Sequence, residues 1–332
     1  MPTVVNLVDP HMVPTVLPPD ALCQLTAAGW TVVGRPWPRG AGLARVADWI
    51  GRDASAVLAT WGVPAFTPEV HAALPNLRFI GYCAGSVKRV VTPATFAHGV
   101  VVASAAPVIA RAVGEYCLAA VLWHLRGLDT MTRQLRGGDA APQWRRPASA
   151  RSLYGRSVGI VSASGAARCF IELLRPFGCE VLVYDPFLLD PAALGVRTAP
   201  LEEVFSQTVV SVHAPDLPET RGLIDGALLR RIPDGGLLIN SARPADMDYD
   251  ALAAELRHGR FHAVLDVFPQ EPLPRDSALY GVDNVTLSPH TAGFSVDIYA
   301  AIGREMVADL LRWERGEPVR LAVDAARWPL LA

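Results

Sequence analysis

Lysine is all but missing from this chain of 332 residues: Lys88 is the only one, so 29 of the 30 basic residues (30 − 1) are arginines. The base composition of a high-GC genome explains that bias without invoking function. Basic runs are missing too. With 32 acidic residues against 30 basic ones the net charge is −2, and no arginine cluster is long enough to follow the phosphates of a nucleic acid. Nucleic acid is therefore not an expected partner. The cysteines, Cys23, Cys83, Cys117, Cys169 and Cys179, are odd in number and show neither a CxxC pair nor Cys/His metal spacing, so no metal site is expected. Scattered reduced thiols suit the cytosol. The amino-terminal MPTVVNLVDP lacks a basic stretch followed by an apolar one, so no secretory signal is expected. The longest apolar candidate, residues 116–123, lies between Arg111, Glu115 and Arg126 and falls short of the ~20 residues a bilayer-spanning helix needs. A soluble, cytoplasmic protein without a membrane partner is the expectation. Internal repeats and low-complexity tracts are absent as well.

What is present is a rhythm. The composition, 51% hydrophobic and 19% charged, suits a compact α/β protein, and the length suits two domains with large cores. From residue 4 to about 103, short apolar runs (VVNLV, WTVVG, AVLAT, RFIGYC, VVVA) alternate with amphipathic stretches such as ALCQLTAAG and GLARVADWI. This alternation predicts a parallel sheet with crossover helices. A helix over about 108–136 follows, ended by Gly137-Gly138 and an Arg-rich, Pro-containing stretch up to Arg151. A second alternating block supplies SVGIVS, EVLVYD, TVVSVH, GGLLIN, HAVLDV and NVTLS, and a last helix runs over about 296–316. The second sheet is thus inserted into the first domain.

Three segments of that second block, INSARPADMDYDAL, LDVFPQEPLPRDS and NVTLSPHTAG, carry Arg243, Glu271 and His290. Each begins as a buried strand (236–239, 263–265, 285–287) and delivers its polar residue just beyond, where parallel sheets open their ligand crevice. The set resembles the D-isomer-specific 2-hydroxyacid dehydrogenases of the phosphoglycerate dehydrogenase-like kind, through almost the whole chain. The resemblance implies two doubly wound α/β domains: a Rossmann dinucleotide-binding domain at 105–290, inserted into a flavodoxin-like substrate domain made of 1–104 plus 291–332. It implies that Arg243 binds the substrate carboxylate, that His290 is the acid/base and that Glu271 holds His290. It implies too that Asp266 faces the nicotinamide carboxamide, with His213, Ala214, Pro215 and Ala242 along the nicotinamide side; His213 itself reads as structural. In the loop GYCAGSVKRVV, Ala84, Gly85 and Ser86 match the family's glycine-rich loop, whose backbone N–H groups help to bind the substrate carboxylate. Lys88 stands there in place of the usual aspartate. Either Lys88 and Arg89 meet a second anionic group on the substrate, or they are solvated loop charges.

The segment GRSVGIVSASGAARCFIELLRPFGCEVLVYDP has the strand, turn, helix, strand order of a dinucleotide-binding unit. Where the fingerprint reads GxGxxG, this chain has Ser162, Ala163, Ser164, Gly165, Ala166 and Ala167. The positions stay small, but Ser162 would be strained if its turn needs a positive φ. Ala167 should be tolerated in helix packing, and the Ser164 hydroxyl suits a phosphate oxygen. Asp185 ends the second strand, where a carboxylate takes the ribose hydroxyls and repels a 2′-phosphate, so the expected cofactor is NAD rather than NADP.

Reduction of a 2-keto acid needs a proton donor for the developing alkoxide and positive charge on the carboxylate. His290, helped by a carboxylate that favours the imidazolium, and Arg243, with its bidentate fork, meet these needs. Pro244, where glycine is usual, removes an N–H and pushes Arg243 toward extended backbone. His258 and His262 in RHGRFH do not make a metal pair, since Gly259 sits between them at a helix end. The expected activity is NAD(H)-dependent interconversion of a small-molecule 2-keto acid and its D-2-hydroxy acid. Two alternatives stand beside it: a repurposed lyase, dehydratase or cyclase using the same triad, and an NAD(H)-sensing regulatory protein. The apolar helix and the family's habit predict a homodimer.

Overall fold

The structure is a computed structural model describing residues 1–37, 46–138 and 150–331. It divides into two compact units, residues 1–109 with 294–332, and residues 110–293.

The first unit is built on strands β1 (Thr3–Asn6), β2 (Thr31–Gly34), β3 (Ala54–Ala59), β4 (Phe79–Tyr82) and β5 (Val101–Ser104). They pair in parallel in the order β2-β1-β3-β4-β5, the flavodoxin-like order. Sheets of this kind are covered on both faces, which is why β4 is apolar and buried along its whole length. The helix expected over 42–50 is seen at Val46–Ile50, and its first part lies outside the described residues. The closing helix, Val296–Glu314, starts where the Ser295 hydroxyl accepts the Ile298 N–H at 3.2 Å. Its Ile302, Met306, Val307 and Leu310 pack with Val4, Leu58 and Phe79 in one fully buried cluster.

The second unit carries β6 (Ser157–Val161), β7 (Glu180–Tyr184), β8 (Arg197–Thr198), β9 (Val209–Val212), β10 (Leu237–Asn240), β11 (His262–Leu265) and β12 (Val285–Leu287). All pairs are parallel, in the order β12-β11-β10-β9-β6-β7-β8, so the sheet is wound outward in both directions from β6 and β9. This is the doubly wound order of dinucleotide-binding sheets extended by one strand. β8 is the one strand absent from the sequence expectation: its two residues are exposed and carry no apolar signal.

The helix expected over 108–136 is two helices, Ala106–Leu125 and Leu128–Arg136, because Gly127 takes a left-handed φ of 61° between them. Residues 139–149 of the Arg-rich stretch beyond lie outside the described residues. The first helix differs from the short apolar run read from sequence. It continues through Arg111 and Glu115 and, by length and composition alone, is long and apolar enough to cross a membrane, although 44% of its most apolar stretch is buried inside the protein. Buried core helices pass the same test. At Gly114 it closes on the helix Gly165–Leu174, since a Cβ there would stand 3.0 Å from Cys169 Cβ and from the Phe170 backbone nitrogen.

Candidate active site

Six candidates follow the carboxyl ends of strands in the second sheet: Ser162 after β6, Asp185 after β7, His213 after β9, Arg243 after β10, Asp266 after β11 and His290 after β12. A parallel sheet aims the ends of its strands to one edge, and at the reversal between β6 and β9 the crossover helices part and leave a crevice.

Ser162 sits at φ 69°, in the left-handed region that costs a residue with a Cβ roughly 1–2 kcal/mol. Asp185 offsets that cost. Its Oδ2 accepts the Ala163 N–H at 2.7 Å and the Ser162 hydroxyl at 3.3 Å, its Oδ1 accepts the Phe187 N–H at 2.8 Å, and Ser162 N donates to the Tyr184 carbonyl at 2.7 Å. The turn therefore keeps the conformation for which glycine is normally used. Three hydrogen bonds occupy a carboxylate that can take about four, which leaves room for one ribose hydroxyl. Ser164 caps the ten-residue helix Gly165–Leu174 by accepting the Ala167 N–H at 3.5 Å, and its own proton stays available for an anion. Ala167 is fully buried and fills the packing position, and a Cβ at Gly165 would reach only ordinary contact distance, 3.8 Å, from Ala110. Small residues, a capped helix start and a strand-end acid fit a dinucleotide.

His213 is buried, and its Nε2 lies 2.8 Å from Ser211 Oγ. Burial pushes its pKa down to about 4, so the ring is neutral. Ala214 and Ala242 are buried as well, and the Pro215 carbonyl accepts the Thr220 hydroxyl at 2.5 Å. Arg243 has φ −139° and ψ 141°, the extended backbone that Pro244 imposes, and the short 3₁₀ turn Pro244–Asp246 follows. The Asn240 side chain staples this turn from both ends, Oδ1 to Ala242 N at 3.1 Å and Nδ2 to the Arg243 carbonyl at 3.4 Å. Arg243 Nη1 donates to the Ala242 carbonyl at 2.7 Å.

Asp246 went unread in the sequence. It is completely buried, and neither carboxyl oxygen has a hydrogen-bond partner. Burial first, then the charge of Asp216, pushes its pKa up to about 7, with Arg243 and the Thr220 hydroxyl offsetting only part. That hydroxyl gives its proton to backbone carbonyls. Nothing in its local sequence distinguishes Asp246 from a solvated turn acid.

His290 and Glu271 are brought together: Nδ1 lies 2.8 Å from Oε2, with both side chains partly exposed. A carboxylate accepts, so Nδ1 carries a proton and Nε2 is the nitrogen left for proton transfer. Exposed pairs add little stability, so the contact orients the ring. Glu271 is itself held, its Oε1 accepting the Phe268 N–H at 3.1 Å. His290 has φ 56° and, with Ser162, is one of two left-handed residues other than glycine among the described residues. Asp266, 1% exposed, clamps its loop. Oδ1 accepts from Ser288 Oγ at 2.5 Å and Thr291 N at 2.8 Å, Oδ2 from Ala292 N at 2.9 Å, and the main-chain oxygen from His290 N at 2.8 Å. This commitment to the histidine loop went unread in the sequence. His258 ends the helix Tyr249–Arg257 and His262 begins β11, so the two do not share a helix face.

Ala84, Gly85, Ser86 and Lys88 belong to the first unit, on the loop after β4. Ser104 Oγ donates to the Gly85 carbonyl at 2.6 Å, and Lys88 N donates to Ser86 Oγ at 3.4 Å, which fixes the turn.

The NAD-binding domain model of the D-isomer specific 2-hydroxyacid dehydrogenases matches residues 118–292. A D-3-phosphoglycerate dehydrogenase of Mycobacterium leprae is 30% identical over 264 residues, 77% of this chain and 48% of that one. The chain thus spans about half the length of that relative. An (S)-sulfolactate dehydrogenase of Chromohalobacter salexigens is 34% identical over 233 residues, 68% of this chain and 74% of its own. A phosphoglycerate oxidoreductase from Rhizobium etli superposes with a TM-score of 0.82 over 97% of this chain and 98% of its own, at 24% identity, which shows a shared fold.

Proposed function

The chain belongs to the D-isomer-specific 2-hydroxyacid dehydrogenase family, and we propose that it interconverts a 2-keto acid and its D-2-hydroxy acid by hydride transfer with NAD(H). The observation that carries this reading is the Glu271–His290 hydrogen bond of 2.8 Å, on a clamped loop at the same sheet edge as the Ser162–Ala167 turn. The second unit is the dinucleotide domain and the first the substrate domain, whose loop at 84–88 carries Gly85 and Ser86. When bound, NADH supplies the hydride for C2. Arg243 holds the substrate carboxylate. As the C2–O bond becomes single, a protonated His290 gives its Nε2 proton to that oxygen, while Glu271 keeps the ring oriented through Nδ1. In the reverse direction the neutral ring takes the hydroxyl proton. Asp185 at the ribose end favours NAD over NADP.

The test is consumption of NADH with a panel of 2-keto acids and chiral analysis of the product: D-2-hydroxy acid is expected, and His290→Gln should abolish turnover while leaving NADH affinity within a few-fold. Turnover of the variant at the wild-type rate would remove His290 from the chemistry. The protein works in the cytoplasm as a homodimer joined through the helix Ala106–Leu125. Support comes from Trp123, 51% exposed on that helix, and from a surface cavity of about 300 Å³ walled by Tyr116, Trp123, His124, His262, Val264 and Thr286. A monomer in light scattering at micromolar concentration would contradict the dimer.

A further inference from the structure

Two hydroxyl groups that the proposed chemistry does not use stand in line behind Asp266. Tyr116 Oη, on the helix Ala106–Leu125, lies 2.7 Å from Ser288 Oγ, and Ser288 Oγ donates to Asp266 Oδ1 at 2.5 Å. The direction of this relay follows from counting protons. Ser288 has one hydroxyl proton and spends it on a carboxylate that can only accept, so the phenol donates to Ser288. Burial pushes the Tyr116 pKa up to about 12, which keeps the phenol a donor throughout the working range. Asp266 then hands the constraint to the catalytic loop through the amides of Thr291 and Ala292, on the carboxyl-terminal side of His290. A left-handed residue such as His290 persists only where its surroundings over-determine it, and these bonds provide that constraint.

We infer that Tyr116 is a positioning residue: through Ser288 and Asp266 its phenol holds the loop that aims His290, linking the acid/base to a side chain on a separate helix. The inference rests on the reading of His290 as the acid/base. A phenol donating to Ser288 also polarises that hydroxyl and strengthens its bond to Asp266, since hydrogen bonds in a chain reinforce one another. Tyr116 further lines the 300 Å³ cavity, so the relay begins at the wall of a surface cavity.

Tyr116→Phe removes one oxygen and keeps the ring. It should lower kcat for 2-keto acid reduction by roughly tenfold, because a small misplacement of a catalytic group is costly, with KM and NADH affinity within about twofold. It should also shift the pH profile of kcat. Ser288→Ala should do the same, Ser288→Thr should restore the rate because it keeps a hydroxyl, and the Tyr116→Phe/Ser288→Ala pair should lose no more than Ser288→Ala alone. Hydrogen exchange at the Thr291 and Ala292 amides should quicken in Tyr116→Phe. That readout needs no turnover: if the wild-type protein reduces no 2-keto acid, the parent reading fails, while faster exchange still supports the relay and unchanged exchange overturns it. In an active enzyme, an unchanged kcat and pH profile in Tyr116→Phe, or losses that add in the double variant, overturn the inference.

Discussion

Replacing Asp246 by Asn should stabilise the protein at pH 8 and by less than half as much at pH 5. A carboxyl that is fully buried without a hydrogen-bond partner holds its proton in the folded chain to about pH 7, against 3.8 for an ordinary aspartate. Between those values the unfolded chain has lost its proton while the folded one keeps it, so the wild type loses stability as pH rises from about 4 to about 7. Every tenfold difference in proton affinity between the folded and unfolded chain corresponds to ~1.4 kcal/mol, which sets a ceiling of ~4 kcal/mol, and the approach of water to a short turn lowers it to roughly 2–4 kcal/mol. His213 and His262, whose pKa values burial depresses to about 4, act in the opposite sense: their stability is present above about 6.5 and is lost as pH falls toward 4. The quantity to measure is therefore the difference between variant and wild type, in which the histidine contributions cancel. Urea unfolding at both pH values gives it, provided the slopes agree. A difference that is the same at pH 5 and pH 8 would refute the argument, because it would place the Asp246 proton release outside that window.

Ser162→Gly should relax the left-handed turn and tighten NADH binding several-fold, despite the loss of the Ser162–Asp185 hydrogen bond; weaker binding, by fluorescence titration, would show that the hydroxyl outweighs the strain. Ala167→Gly should instead destabilise by about 1 kcal/mol in thermal melts, since Ala167 is fully buried inside a helix start. Glu271→Gln should lower kcat several-fold, because the amide can turn its NH2 toward Nδ1 and no longer fixes the tautomer that leaves Nε2 for proton transfer; an unchanged kcat would separate Glu271 from His290 in function.

Much of this molecule is legible in one dimension because buried parallel strands are apolar along their whole length. Every strand except β8 announces itself as a short apolar run, including β2 and β12, which the fold leaves only partly buried, and Arg243, Glu271 and His290 stand out as the polar residues that each follow such a run. Local steric rules foresee the extended Arg243 before Pro244 and the strained Ser162. What stays hidden depends on partners far away in the chain. Nothing near Tyr116 marks it as a donor to Ser288, and Asp185 reads as a ribose ligand while it also braces the turn at Ser162. Asp266 reads as a residue facing the nicotinamide and is bound to the loop of His290. Asp246 resembles any turn acid until the surrounding side chains close over it. The break at Gly127 is invisible for a related reason, since an isolated glycine inside a helical pattern is tolerated and need not end the helix.

The most direct test of the central claim is a fluorescence titration of the wild-type protein with NADH and, separately, with NADPH. Micromolar binding of NADH, at least tenfold tighter than NADPH, is expected from the turn that Ser162, Ser164 and Asp185 build and from the acid that would face a 2′-phosphate. A folded protein that takes up neither dinucleotide at millimolar concentration would contradict the account, and equal or tighter binding of NADPH would overturn the role given to Asp185.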